Sequence, residues 1–421
     1  MRTIATFLCS FILAGCATIT PNESVGADNG NGFIEERFQR IDDVINREIE
    51  AGRIPGAVGL IAKGGDIVYH RAFGLADIDT GRPMQTDDIF RIASMTKAIT
   101  SVGVMMLYEQ GRFQLNDPVS NYLPGFALPQ VVVSTDDGGL VNETRDAARE
   151  IRIVDLLTHS SGIGYAFVPT LLQKTYKAGG VIDGITAADA ILADGMALLA
   201  RQPIAFDPGE RFLYGLNTDV LGYLIEVITG KPLDRFFREE IFEPLGMVDT
   251  YFYLPDDKAD RLVTLYADTG RLKVSDGTED PLTLDNPRYP VEGAKRYFSG
   301  GGGLSSTSRD YFRFVQMLAN EGGLDGARLL GRKSVELMRA PRIDIDGDGD
   351  ADFGLGFQVV GDMGQYGEIG SPGAYAWGGA FGTSYWIDPE EDLVAVFMTQ
   401  VRPLTSDIRN RFRTMVYQAL E

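Results

Sequence analysis

Residues 95–107, MTKAITSVGVMML, are apolar on nearly every face of a helix. Such a helix has to be enclosed by protein on all sides, so the chain must build a core thick enough to surround it. With 421 residues and 44% hydrophobic content there is material for that core, in one large composite domain or two. One charge interrupts the run: Lys97, three residues after Ser94 in RIASMTKAIT (91–100). A buried ammonium is costly unless it is paired or gives up its proton.

Ser94 falls at the N-terminus of the expected helix, where free backbone N–H groups and the helix dipole favour a developing oxyanion. Lys97 points to the same face one turn later. Burial is expected to lower a lysine from about 10.4, so that it takes the serine proton or holds a nearby tyrosine partly ionised. The alternative is a lysine that carries its ammonium out to the surface. Tyr214, in RFLYGLNTDVLGYLIEVITG (211–230), is the best candidate partner, because it directly precedes a helix with Val220, Leu221, Leu224, Val227 and Ile228 on its apolar face. Tyr108, Tyr165 and Tyr223 lie in patterns that core packing or surface position explains. The chain has only two histidines, which read as a strand-edge residue (His70) and a packing or capping residue (His159). No G-x-S-x-G elbow and no H-E-x-x-H metal motif is present.

The ends of the chain carry matching patterns. Ile34, Phe38, Ile41, Ile45 and Ile49 share one helical face, and Gly52 with Pro55 ends that run. AVGLIAKGGDIVYHRAFG (57–74) reads as a hairpin around Gly-Gly, and 375–388 with 392–400 as a second strand pair. A helix over 405–420, apolar at Ile408, Phe412, Met415, Val416 and Ala419, closes the chain. The expected fold is α+β: an antiparallel sheet from about 33–93 and 291–421, flanked by N- and C-terminal helices. A mainly helical part, about 94–290, is inserted, with a cleft at the junction.

A net charge of −20 argues against nucleic acid and against adsorption to anionic lipid. The only cysteines are Cys9 and Cys16, in MRTIATFLCSFILAGC. One arginine, a short apolar run and small residues before Cys16 fit a signal over 1–15, and Leu13-Ala14-Gly15-Cys16 resembles a bacterial lipobox. The expectation is an envelope lipoprotein facing the periplasm, at the outer membrane, touching lipid only through Cys16. The simpler alternative is an ordinary signal with a chance cysteine. Residues 16–32 read as a flexible tether.

Taken in order, Ser94-x-x-Lys97, Tyr214 before DVLGYLIEVITG and Trp377-Gly378-Gly379 resemble the serine β-lactamase and penicillin-binding-protein superfamily, and within it family VIII carboxylesterases. The likeness runs from about Phe33 to the C-terminus, through GRFQLNDPVSNYLP (111–124), IVDLLTHSSGI (153–163) and FDPGERFLYG (206–215). It implies Ser94 as nucleophile and Lys97 with Tyr214 as base and acid. It further implies an oxyanion hole from the N–H groups of Ser94 and Ala380, and substrate contacts from Trp377, Gly378, Gly379 and Asn217. No cofactor or metal is called for. Two positions depart from β-lactamases: Leu216 fills the third place of Tyr-x-Asn, with Asn217 one residue later, and Trp377 stands where Lys-Thr-Gly has its lysine. Loss of that cation is expected to favour neutral esters of short to medium acyl chains over anionic lactams and peptides. β-Lactamase or D-alanyl carboxypeptidase activity is the second reading, and a non-catalytic envelope binding lipoprotein the third.

Two further stretches need a reading. DIDGDGDAD (344–352) has calcium-loop spacing at Asp344, Asp346, Asp348 and Asp352, but Leu355 holds the twelfth place, so a solvated acidic loop is preferred. GGGGLSSTS (300–308) follows no P-loop pattern and reads as a flexible edge of the active site.

Overall fold

The computed structural model describes residues 32–268, 272–274, 289–361 and 367–421. The signal, the lipobox and nearly all of the tether lie outside these residues. Among them no helix is long and apolar enough to cross a membrane.

The helix at the start is α1 (Phe38–Glu50). It leads into β1 (Gly56–Lys63) and β2 (Asp66–Asp77), joined at Gly64 and Gly65, whose φ values of 60° and 89° admit glycine readily. A short β3 (Arg82–Pro83) follows, then α2 (Thr96–Glu109), α3 (Asn217–Thr229) and α4 (Ser308–Ala319). The chain returns through β4 (Gln358–Val359), β5 (Tyr375–Gly378), β6 (Ser384–Asp388) and β7 (Leu393–Met398), and ends in α5 (Ile408–Tyr417). These strands form one antiparallel sheet in the order β4-β5-β6-β7-β1-β2-β3.

β7 is the centre of the sheet, and its sequence, LVAVFM, is buried throughout. Leu393, Ala395 and Phe397 face one way, into the layer formed by Ile41 and Ile45 of α1 and Phe412 and Val416 of α5. Val394, Val396 and Met398 face the other way, into the cluster that holds Phe314 and Val315 of α4 and the apolar residues of α2. The strand period of two thus feeds both faces, which is why a central strand needs no polar side. Each of these side chains larger than alanine contributes on the order of 1.5–3 kcal/mol of burial. Every residue of α2 from Thr96 to Leu107 is buried, as an all-round apolar helix requires.

Two expectations change. The span 375–388 is two strands, β5 and β6, because Gly379–Thr383 reverses the chain: Gly379 N–H donates to Thr383 O at 2.8 Å, and Gly382 has φ 94°. In the middle of the chain, 130–135 pairs with 141–146 as a hairpin. Its second strand, VNETRD, is polar beyond Val141 and mostly exposed, so it carried little apolar signal. A shorter pairing, Phe90–Arg91 with Ser305–Ser306, matters more, since it anchors the chain just before Ser94 beside the glycine-rich segment.

Candidate active site

Ser94 lies in a 3-10 turn, Ala93–Met95, that feeds α2. Ala93 has φ 43°, a left-handed conformation that costs a non-glycine residue on the order of 1–3 kcal/mol. Surrounding bonds hold the turn: Ile92 N–H donates to Leu304 O at 3.0 Å, and the Tyr311 hydroxyl donates to Met95 O at 2.9 Å. The end of β5 comes against the same turn. A Cβ on Gly379 would fall 2.4 Å from Ile92 O and 2.2 Å from Thr383 Oγ1, so only glycine fits. Ala380 follows at once. Ser94 and Ala380 line one cavity, and among the described residues neither of their N–H groups donates to protein.

Lys97 is 1% exposed. Its ammonium donates to Ser94 Oγ at 3.3 Å, to Tyr165 Oη at 3.0 Å and to Gly301 O at 2.7 Å. Three donors meet three acceptors, which resolves how a charge survives in this helix. The aromatic faces of Tyr214 and Tyr165 add to this, with the nitrogen 4.6 Å and 5.5 Å from their ring centroids.

The tyrosine that reaches Lys97 through its hydroxyl is therefore Tyr165, which sequence reasoning set aside. It sits in a loop, SSGIGYAF (160–167), with no period to single it out. Burial pushes the Tyr165 phenol well above its ordinary value, with Tyr214 next in effect, so it stays protonated rather than partly ionised. Tyr214 presents its ring to Lys97, while its hydroxyl accepts from Trp377 Nε1 at 3.3 Å.

His159 packs behind Tyr214, with ring centroids 4.9 Å apart. Burial, and secondarily the Lys97 charge, hold it well below its ordinary value, so it is neutral. Its Nδ1 lies 3.0 Å from Asn217 Nδ2. Asn217, expected to touch substrate, is fully buried and does not line the cavity. Its Oδ1 accepts from Ser161 Oγ at 2.5 Å and its Nδ2 donates to Ile163 O at 3.3 Å, so it braces the loop that carries Tyr165. The displacement of asparagine by one place, with Leu216 in between, turns that side chain away from the cavity. His70 Nε2 pairs with Ser308 Oγ at 2.9 Å, and His70 does not line the cavity that Ser94 lines.

The cavity encloses about 620 Å³. Phe167, Ile185, Tyr214, Trp377 and Tyr385 give it apolar walls, and Trp377 leans on Phe353 with ring centroids 5.3 Å apart. Gly378 and Gly379 also line it. Asp183 is sunk in one wall, where burial raises its carboxyl to about 6. The glycine-rich segment is an edge of this cavity, but a clamped one rather than a flexible one. Thr100 Oγ1 donates to Gly300 O at 2.7 Å, and Leu304 N–H to Thr96 Oγ1 at 3.1 Å. In the acidic loop, the Asp344 carboxylate accepts from the N–H groups of Asp346, Gly347 and Gly349, so it caps its own turn.

Residues 41–419 match the β-lactamase protein family. This chain belongs to the β-lactamase family. It is a serine hydrolase of that superfamily, similar to its family VIII esterases. It is 35% identical over 375 residues to Protein Rv1367c of Mycobacterium tuberculosis, covering 85% of this chain and 88% of that one. It is 31% identical over 392 residues to Esterase EstB of Burkholderia gladioli, covering 88% and 94%. Among solved structures, EstCE1, described as a hydrolase with promiscuous acyltransferase activity, superposes with a TM-score of 0.79 at 28% identity, covering 91% of this chain and 99% of that one. The sheet with helices on both faces is thus the β-lactamase/transpeptidase-like fold, and the cavity lies where the residues sharing the family's motifs converge.

Proposed function

We propose that this β-lactamase-family hydrolase is a carboxylesterase that forms an acyl-enzyme on Ser94. The observation that carries the reading is the Ser94 Oγ to Lys97 Nζ approach of 3.3 Å at the wall of an aromatic cavity. When Lys97 has given up one proton, its remaining donors stay on Gly301 O and Tyr165 Oη and its lone pair turns to Ser94 Oγ. Ser94 then attacks the ester carbonyl carbon as its proton passes to Lys97. The oxyanion is received by the free N–H groups of Ser94 and Ala380. Collapse breaks the bond to the alkoxy oxygen, which takes its proton from the Lys97 and tyrosine group and leaves as the alcohol. Water repeats the steps on the acyl-enzyme and releases the acid.

Trp377 places an aromatic wall where the resemblance puts a cation in β-lactamases, which supports neutral esters of short to medium acyl chains as substrates. A relative named as an esterase and a structural neighbour described as a hydrolase support the same class. We further propose export with lipid attachment at Cys16, on the motif Leu13-Ala14-Gly15-Cys16 alone.

Hydrolysis of p-nitrophenyl butyrate by purified protein is the test. Ser94→Ala is expected to remove at least about 1,000-fold of kcat, and a fluorophosphonate probe is expected to add its mass to the peptide containing Ser94. Unchanged turnover by Ser94→Ala would discard the assignment.

A further inference from the structure

Lys97 is not the only charge sealed into this site. Asp219, on the first turn of α3, is fully buried, and among the described residues neither it nor Lys97 is in direct ionic contact with any other group. A single residue lies between them. Gly301 O accepts from Lys97 Nζ at 2.7 Å, while Gly301 N–H donates to Asp219 Oδ1 at 3.4 Å. Ser299 Oγ also donates to Asp219 Oδ1, at 2.5 Å. The other oxygen, Oδ2, meets no donor among the described residues. A Cβ on Gly301 would fall 2.3 Å from Asp219 Oδ2 and 3.3 Å from Tyr165 Oη, so the absence of a side chain lets carboxylate, phenol and amine gather around one residue. A lone buried carboxylate and a lone buried ammonium are each strongly disfavoured, whereas the two close together compensate one another.

We propose that Asp219 is the buried counter-ion of Lys97, a positioning residue that works across Gly301 and sets the pH at which Lys97 becomes available as a base. The proposal rests on the reading of Lys97 as the base for Ser94. Asp219 touches neither the cavity nor the nucleophile, and acts only through the amine it balances. While the carboxylate is charged it holds the proton on Lys97; remove that charge and the amine loses its proton at lower pH. Other groups face this pair from each packed element: His159, Tyr165 and Asp183 from the loops after residue 158, Tyr214 from the turn before α3, and Tyr297 from the segment before Gly301. His159 is neutral, and burial keeps Tyr165 and Tyr297 protonated. Burial raises the Asp183 carboxyl to about 6, so its titration overlaps the acid limb and is followed alongside that of Asp219.

Two measurements test this on the purified full chain. In the first, kcat/KM for p-nitrophenyl butyrate is followed from pH 4 to 9 for the wild type, Asp219→Asn and Asp183→Asn. Asp219→Asn is expected to move the acid limb toward lower pH by about one unit with KM little changed, and by more than Asp183→Asn does. An Asp219→Asn limb that stays in place, or moves toward higher pH, overturns the proposal, since a residue that merely packs would lower stability without moving it. The second is a thermal double-mutant cycle of Lys97→Met and Asp219→Asn, which needs no turnover. Each single change is expected to lower Tm, and the double variant to melt above both, even where one single variant is too unstable to purify. Losses that add overturn the pairing. If the wild type fails to label with fluorophosphonate, the esterase reading falls, while the melting cycle still reports on the coupling of Lys97 and Asp219 across Gly301.

Discussion

The ammonium of Lys97 donates to the hydroxyl of Tyr165 at 3.0 Å. Because burial keeps that phenol protonated, Tyr165 can pass its own proton onward while accepting from Lys97. Tyr165→Phe is expected to lower kcat for p-nitrophenyl butyrate about 10- to 100-fold with KM nearly unchanged. Steady-state kinetics with circular dichroism as a folding control checks this. A fully active Tyr165→Phe would leave the acid–base work to Lys97 and Tyr214.

Trp377 leans on Tyr214 and Phe353 along the cavity wall. Trp377→Lys restores the cation that the resemblance expects in β-lactamases and removes the aromatic surface. Ester kcat/KM is expected to fall about 10-fold or more, with the ratio of nitrocefin to ester turnover rising. Parallel assays on both substrates decide it; an unchanged ratio means that this position does not select against anions.

Asn217 ties together Ser161, His159 and Ile163 with a side chain that solvent does not reach. Asn217→Ala leaves the partners unsatisfied, so a loss of about 2–3 kcal/mol is expected. Guanidinium unfolding measures it. A neutral result would mean that the loop holds without this brace.

Asp183 titrates at about 6 in the folded chain against an ordinary 3.8. The folded state binds this proton more tightly than the unfolded one, so the carboxylate destabilises the fold at neutral pH. That penalty is absent below about 4, grows as pH rises toward 6 and is complete above it. Asp183→Asn, which still accepts from Ala166 N–H, is expected to be more stable than the wild type at pH 7 by about 3 kcal/mol, with the difference vanishing near pH 4. Melting curves across that range check the sign.

Some features here follow from spacing within a few residues. An all-round apolar helix must be buried wherever it lies, and a serine and lysine three apart must share its face, so the Ser94 and Lys97 approach was legible beforehand. The same holds for α1 and α5, whose apolar period states which side meets the core, and for β1 and β7, whose continuous apolar runs mark strands buried on both faces. The environment of the amine was not legible, because it is assembled from loops that have no period. Tyr165 arrives 68 residues after Lys97, and Gly301 204 residues after it. Nor does sequence spacing tell that Asn217, one place late in its motif, turns inward, or that 375–388 breaks into two strands at Gly379. Local geometry sets which groups share one face of one element. The proton inventory of the cavity depends on which distant groups are buried together, and only the packed chain decides that, since burial and Coulomb energy are properties of position in space.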